Sequence, residues 1–283
     1  MTPPDPVVSV IIPTYNQADL LRDALQSVLS QTFPGWEAIV IDNFSPDRTR
    51  ETVLSLPDPR IRYVQFSNNG IIAASRNHGI FLARGKYVAF LDSDDRWYPE
   101  KLSRSLAELS GGAGAVCHGM RICETGKSPV EFRPLQPVHD FYETLLFTGN
   151  SLITTSTVVV KREWLARLGG FSENPAIVTA EDYDLWLRLL NNGVRFTVIP
   201  EILGDYSIHG LNESKNIERQ MNAEEWVFLM HCGDKSALSW PARMRVKKSR
   251  MMIAFRAGKR ALDAGLHTAA AAYAWKGVAV MFR

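Results

Sequence analysis

Tyr87-Val88-Ala89-Phe90-Leu91-Asp92-Ser93-Asp94-Asp95 joins five apolar residues directly to three carboxylates within four positions. An apolar run this short, closed by a polar turn, predicts a strand buried on both faces. The carboxylates at its C-terminal end repel one another unless a cation sits among them. Hard oxygen ligands of this kind suit Mg²⁺ or Mn²⁺, which bind through one or two carboxylates and a substrate's phosphates. Taken alone, the same residues also read as aspartates capping the next turn.

Three further apolar runs precede this one, at Val7 to Ile12, Ala38 to Ile41 and Ile61 to Gln65. Between the first two, Leu20, Leu21, Ala24, Leu25, Val28 and Leu29 share one face of a helix for which Asn16 is the expected cap. Helical spacing recurs over about 47–56 and 71–83. Strands alternating with helices imply an α/β fold with a mostly parallel, doubly wound sheet. In such sheets ligands bind outside the carboxyl ends of the strands. Thr14-Tyr15-Asn16, Asp42-Asn43, Asn68-Asn69-Gly70 and Asp92 to Asp95 all fall at those ends. Neither G-x-G-x-x-G nor G-x-x-x-x-G-K-[ST] occurs, so nicotinamide, flavin and ATPase readings lose their main support.

Composition sets the bounds. With 283 residues, 46% apolar and 22% charged, the chain is globular and long enough for a sizeable core. It has no run of about 18 apolar residues, and Met1 to Pro6 lacks the basic stretch and apolar core of a secretion signal, so neither a membrane span nor export by that route is expected. Cys117, Cys123 and Cys232 are too scattered for a zinc or redox pair, and reduced thiols in a cytoplasmic setting are the expectation. The net charge of +2 hides a division: residues 1–234 hold 21 Lys and Arg against 29 Asp and Glu, and residues 235–283 hold 11 against one. That asymmetry suggests an attached basic arm with an anionic partner.

From about Val7 to His209 the motifs, in order, resemble the family-two, GT-A-fold inverting glycosyltransferases. The likeness runs through Val8-Ser9-Val10-Ile11-Ile12-Pro13-Thr14-Tyr15-Asn16, Gln31-Thr32-Phe33, Ile41-Asp42-Asn43-Phe44-Ser45, Ala74-Ser75-Arg76-Asn77-His78-Gly79 and the stretch that ends at Asp95. The resemblance implies that Asp92-Ser93-Asp94 is the D-x-D that holds a divalent cation, Mn²⁺ or Mg²⁺, on a sugar-nucleotide diphosphate. Asp94 would be the direct ligand and Asp92 would lie nearer the ribose. It further implies that Asp42 accepts a hydrogen bond from the base, that Thr14 and Tyr15 flank the base, and that Arg76 touches base or diphosphate. Asn43 and Phe44 depart from the family's usual Asp-Asp-Gly-Ser, which bears on the choice of uridine over other nucleotides.

In the second half, an extended run is expected at Ser156 to Lys161 and a strand at Ile202 to Ile208. Between them lies Thr179-Ala180-Glu181-Asp182-Tyr183-Asp184-Leu185-Trp186. By spacing alone, Thr179 and Asp182 read as a near capping box at a helix start, where acids are favoured anyway. By resemblance, Asp182 matches the family's catalytic base and Glu181 a supporting group, with Asp184 a surface charge. The resemblance also gives His209 a role as metal ligand or diphosphate contact. Trp97 and Trp186 could stack a sugar, although Trp at such positions is more often core.

Between Arg243 and Arg260 eight residues are Lys or Arg and none is acidic, while Met244, Met251, Met252, Phe255 and Leu262 recur at near-helical spacing. A basic amphipathic helix suits an anionic membrane surface. Packing on the acidic remainder of the chain is the alternative; nucleic acid is not expected, since no reading motif accompanies the charge. The expected organisation is a nucleotide-sugar-binding half at residues 1–110, an acceptor-binding half at 111–215 and a helical, basic C-terminal appendage at 216–283. The resemblance implies transfer of a sugar, from a UDP-sugar by expectation, to a hydroxyl of a glycan or lipid-linked glycan at the inner face of a membrane. The alternative is a non-catalytic sugar-nucleotide or glycan-binding module on the same fold.

Overall fold

The computed structural model describes residues 5–134, 140–149, 153–209, 216–233 and 239–282. Strands β1 (Val8–Thr14), β2 (Trp36–Asp42), β3 (Ile61–Gln65) and β4 (Tyr87–Phe90) pair in parallel in the order β3-β2-β1-β4, with Thr14 opposite Asp42. Beyond β4 the sheet continues antiparallel through β8 (Val159–Lys161) to β6 (Ala115–Glu124), then parallel to β9 (Phe196–Ile208). Two short antiparallel strands, β5 (Arg96–Trp97) on β9 and β7 (Val130–Phe132) on β6, complete it. The parallel ladders are the long ones, so the sheet is mostly parallel, as its sequence pattern implies.

Alternation along the strands divides the core into two layers. Val8, Val10 and Ile12 of β1 pack with Leu21, Leu25 and Val28 of α1 (Ala18–Leu29) and Leu102 and Leu106 of α4 (Lys101–Ser110). Ile11, with Ile39 and Phe90, packs on the other face against α3 (Ile72–Leu82) and α7 (Glu181–Asn191). The α3 helix comes so close to β1 that a Cβ at Gly79 would overlap Ile11 Cγ2. Trp186 belongs to this second layer with Phe90, Phe171 and Phe196, and Trp97 is buried with its Nε1 donating to the Ser156 carbonyl at 2.8 Å. Both tryptophans are therefore core.

Three local expectations change. Strand β1 runs through Pro13, which lies past the last β4 pairing at Ile11 and Phe90, so its missing N–H leaves no β4 bond unmade. Asn16 does not cap α1: it adopts φ 54°, Gln17 is the capping residue without a side-chain bond, and Asp47 accepts the Ala18 N–H at 2.9 Å. The run expected to extend from Ser156 begins instead as a 3₁₀ turn, Thr155–Thr157, and becomes a strand only at Val159.

After β9 the chain forms α8 (Ile217–His231), α9 (Trp240–Asp263) and α10 (His267–Phe282). The basic helix α9 is not a free arm. Its Val246, Ile253, Ala254 and Ala257 join the core layer that includes α7 and α8. Arg250 pairs with Glu225 at 2.7 Å, Arg245 with Glu143 at 2.9 Å, and Arg256 with the buried Glu224. No helix among the described residues is long and apolar enough to cross a membrane.

Candidate active site

At the end of β4 the chain turns over Asp92, and the Asp95 N–H closes the turn on the Asp92 carbonyl at 3.0 Å. The other half of the sheet holds this turn at two points. Ser156 Oγ accepts the Asp92 N–H at 3.0 Å, and Asp95 Oδ1 accepts the Ser207 N–H of β9 at 3.0 Å. Asp95 is buried, and that burial, with the charges of Asp94 and Asp92, pushes its carboxyl well above the usual range. Its place is a structural one, tying β9 to the acidic turn.

Asp94 and His209 are brought together: Asp94 Oδ2 lies 2.9 Å from His209 Nε2 at the end of β9. Burial and the neighbouring Asp92 charge raise the Asp94 carboxyl, while the histidine contact opposes the rise. A cation would relieve that repulsion. Among the described residues no group of three or more His, Cys, Asp or Glu is poised around one point. The donor set fits an ion that takes one carboxylate and one imidazole from the protein and its remaining oxygens from phosphate and water, a demand Mn²⁺ meets well and Mg²⁺ can meet.

Asp182 and Glu181 open helix α7. Asp182 Oδ2 accepts from Thr155 Oγ1 at 3.0 Å and its Oδ1 accepts the Tyr183 N–H at 2.7 Å. Burial, then the charge of Glu181, pushes the Asp182 carboxyl up to about 7; the Arg76 charge and these two hydrogen bonds hold it back. The capping box suggested by spacing does not form, because Ala180 occupies the cap position and Thr179 sits at φ 82° with its N–H bonded to Glu181 Oε2 at 2.7 Å. Asp184 is not a surface charge either. It is buried and paired with Arg188 at 2.8 Å and His231 at 3.0 Å, and those contacts keep its carboxyl low although burial works against them.

Arg76 joins the two acidic motifs. From α3 its Nη1 donates to Glu181 Oε1 at 2.6 Å and its Nη2 to Asp92 Oδ1 at 2.8 Å, with the guanidinium 5.3 Å from the centre of the Phe171 ring. It is buried, not a surface charge, and its two terminal nitrogens are committed to carboxylates rather than turned toward an open ligand site. Two routes thus link the acidic turn to the start of α7: Asp92 to Arg76 to Glu181, and Asp92 to Ser156, whose neighbour Thr155 holds Asp182.

At the ends of β1 and β2 the loops are laced together. Ser45 Oγ donates to Asp42 Oδ1 and accepts the Asn16 N–H at 2.8 Å, and Tyr63 OH donates to Asp42 Oδ2 at 2.6 Å. Asp42 is fully buried behind these two hydroxyls. Thr14, its partner across the ladder, is buried with an Oγ1 that has no hydrogen-bond partner among the described residues. Tyr15 and Phe44, each 57% exposed, present rings on the two loops, and Phe44 takes φ 55°, in the left-handed region that glycine favours. Thr155 and Ser156 carry no site signal in the sequence, and Asp95, expected there among the acids that meet a cation, is instead the tie to β9. The run Thr154-Thr155-Ser156-Thr157 has no period, and only its proximity to both acidic motifs gives it meaning.

The description Glycosyl transferase family 2 matches residues 9–169. The chain belongs to this family. Among its relatives, the "Putative teichuronic acid biosynthesis glycosyltransferase TuaG" of Bacillus subtilis (strain 168) is 34% identical over 219 residues, covering 76% of this chain and 84% of that one. The "UDP-Glc:alpha-D-GlcNAc-diphosphoundecaprenol beta-1,3-glucosyltransferase WfgD" of Escherichia coli is 34% identical over 191 residues, 66% of this chain and 71% of that one. Among solved structures, the mannosyltransferase PcManGT from Pyrobaculum calidifontis, in complex with GDP-Man and Mn²⁺, aligns with a TM-score of 0.65 at 22% identity, covering 97% of this chain and 76% of that one. The family 2 chain therefore has the GT-A fold, with Asp92, Asp94 and Asp182 at the carboxyl edge of its sheet.

Proposed function

We propose that this family 2 chain is an inverting, metal-dependent glycosyltransferase that moves a sugar from a UDP-sugar to a hydroxyl of a lipid-linked glycan. The observation that carries the reading is Asp182: a carboxyl raised to about 7, fixed by Thr155 and tied through Arg76 and Glu181 to the Asp92 turn. A base poised near the working pH is what proton removal from an acceptor hydroxyl requires. Among the relatives, the Escherichia coli enzyme named for UDP-Glc as donor and a sugar on diphosphoundecaprenol as acceptor supports the donor and acceptor classes.

In the reaction, the Asp182 carboxylate accepts the acceptor's hydroxyl proton as that oxygen bonds to the anomeric carbon. The bond to the nucleotide diphosphate breaks on the opposite face, and the configuration inverts. Thr155 and the Tyr183 N–H hold the carboxylate so that little reorganisation accompanies proton transfer. Asp94 and His209 would hold Mn²⁺ or Mg²⁺, which when bound neutralises charge on the leaving diphosphate. Asp92 lies toward the ribose, and Thr14 and Tyr15 flank the base. Asp42 sets the hydrogen bonding of the base pocket through Ser45 and Tyr63, whose hydroxyls it holds. Arg76 positions Asp92 and Glu181.

The test is a transfer assay with UDP-, GDP-, dTDP- and CDP-sugars and a lipid-diphosphate-linked sugar acceptor, with Mn²⁺ or with chelator, and the product's anomeric configuration read by NMR. Turnover of a UDP-sugar with Mn²⁺ and inverted configuration is expected. Retained configuration, or equal turnover in chelator, overturns the proposal.

A further inference from the structure

Helix α9 divides its surface between two tasks. The side toward α8 is lined by Val246, Ser249, Ile253 and Ala257, and its arginines Arg250, Arg256 and Arg260 meet Glu225, Glu224 and Gln220. Those arginines are occupied inside the fold, so the basic count of the helix overstates what it offers to a partner. Toward α10, Gly258 and Gly277 let the helices approach until a Cβ at Gly277 would lie 3.1 Å from the Met251 carbonyl.

The outer side is different in kind. Lys248, Met252, Lys259 and Leu262 fall at i, i+4, i+11 and i+14, one stripe of the helix, and all are exposed. Ala271, Trp275 and Val278 form the matching exposed stripe of α10. Trp275 is 74% exposed, Leu262 54% and Leu266, in the turn between the helices, 52%. Single exposed apolar residues are ordinary, but a run of them on one hairpin marks an interaction surface. The charge left on this stripe is that of Lys248 and Lys259, and no acid lies among its residues. Two copies brought together through this face would set those lysines against each other, whereas an anionic surface complements them.

We propose that the outer face of the α9–α10 hairpin, with Leu262, Leu266 and Trp275 entering the headgroup region and Lys248 and Lys259 meeting anionic lipid, docks the enzyme on a bilayer. Amphipathic faces of this composition lie in the membrane plane, with apolar side chains at the acyl boundary. The inference deepens the proposed transferase reading, because an acceptor held in a bilayer must be met there, yet its observations are independent of the catalytic acids.

Vesicles of phosphatidylcholine alone and of phosphatidylcholine with phosphatidylglycerol test it, by co-sedimentation of the full chain without sugar nucleotide. Selective binding to the anionic vesicles is expected. Lys248→Gln with Lys259→Gln should weaken it about thirtyfold at low salt. Leu262→Ser with Trp275→Ser should abolish binding at 0.15 M salt, where the remaining charge attraction is screened. Both variants should keep the parent's turnover on a water-soluble acceptor; a parent that binds vesicles but transfers nothing would defeat the transferase reading and leave this one standing. Equal sedimentation of parent and variants overturns the proposal. So does a dimer in solution that Leu262→Ser with Trp275→Ser converts to monomer, because the face would then belong to a second copy.

Discussion

Arg76 has carboxylate partners on both sides, and its charge also reaches Asp182, where it lowers the carboxyl that burial and Glu181 raise. The sign of a pH experiment follows. A general base must be deprotonated, so kcat should fall as pH drops through about 7, and Asp182→Asn should lower kcat by roughly 10² or more while sparing donor affinity and melting temperature. Arg76→Lys keeps a positive charge but cannot reach both carboxylates with a planar fork. Its weaker hold should let the Asp182 carboxyl rise, moving the midpoint of the kcat profile above that of the parent. An unmoved midpoint with a lowered melting temperature would reduce Arg76 to a structural ion pair. Asp94→Ala should abolish turnover and remove the Mn²⁺-dependent part of the thermal shift given by a UDP-sugar, leaving the shift with nucleotide alone in chelator unchanged.

Helix α3 carries Arg76 and must lie close against β1 to present it, and Gly79 is the residue that permits this. Gly79→Ala would drive a methyl into a methyl of the fully buried Ile11, and overpacking of this kind costs about 1–3 kcal/mol. A lowered urea midpoint at unchanged slope is expected; an unchanged midpoint would mean that α3 slides freely on the sheet. Most of the α/β elements in the first half were legible in the sequence, because β1 to β4 are short apolar runs and α1 and α3 keep helical spacing. Their ends were not. The α1 cap comes from Asp47, far along the chain, and no local pattern marks an acid as the cap of a helix it does not begin. The D-x-D and the Glu181-Asp182 pair were visible as acids, and their meeting through Arg76 was not, since a lone arginine on a helix looks the same whether it faces solvent or two carboxylates. On α9 the sequence showed a basic helix but not its close pairing with α10, because Gly258 and Gly277 carry no hydrophobic signal while permitting the approach.

At the scale of the whole molecule the division of charge, −8 over residues 1–234 and +10 over 235–283, takes on a second meaning. Part of it is internal complementarity: Glu143, Glu224 and Glu225 lie in the acidic part, and each meets an arginine of α9. The sequence alone suggests an attached basic arm, and every candidate catalytic residue precedes it, so an arm of that kind would be dispensable for catalysis. The packing argues otherwise. Ending the chain before Pro241 would leave the buried Glu224 without Arg256 and remove Val246, Ile253, Ala254 and Ala257 from the core layer they share with α7 and α8. Removing one partner of a buried ion pair costs about 3–5 kcal/mol, and at about 2–4 °C per kcal/mol for a chain of this size the truncated protein should melt roughly 6 to 20 °C lower. Because α7 opens with Glu181 and Asp182, turnover on a soluble acceptor should fall with the folded fraction and recover on cooling. A truncated chain that keeps both melting temperature and turnover would restore the view of α9 as an attached arm. Glu224→Gln in the full chain separates the two contributions: it keeps the helix and its apolar contacts, so any loss it causes belongs to the ion pair alone.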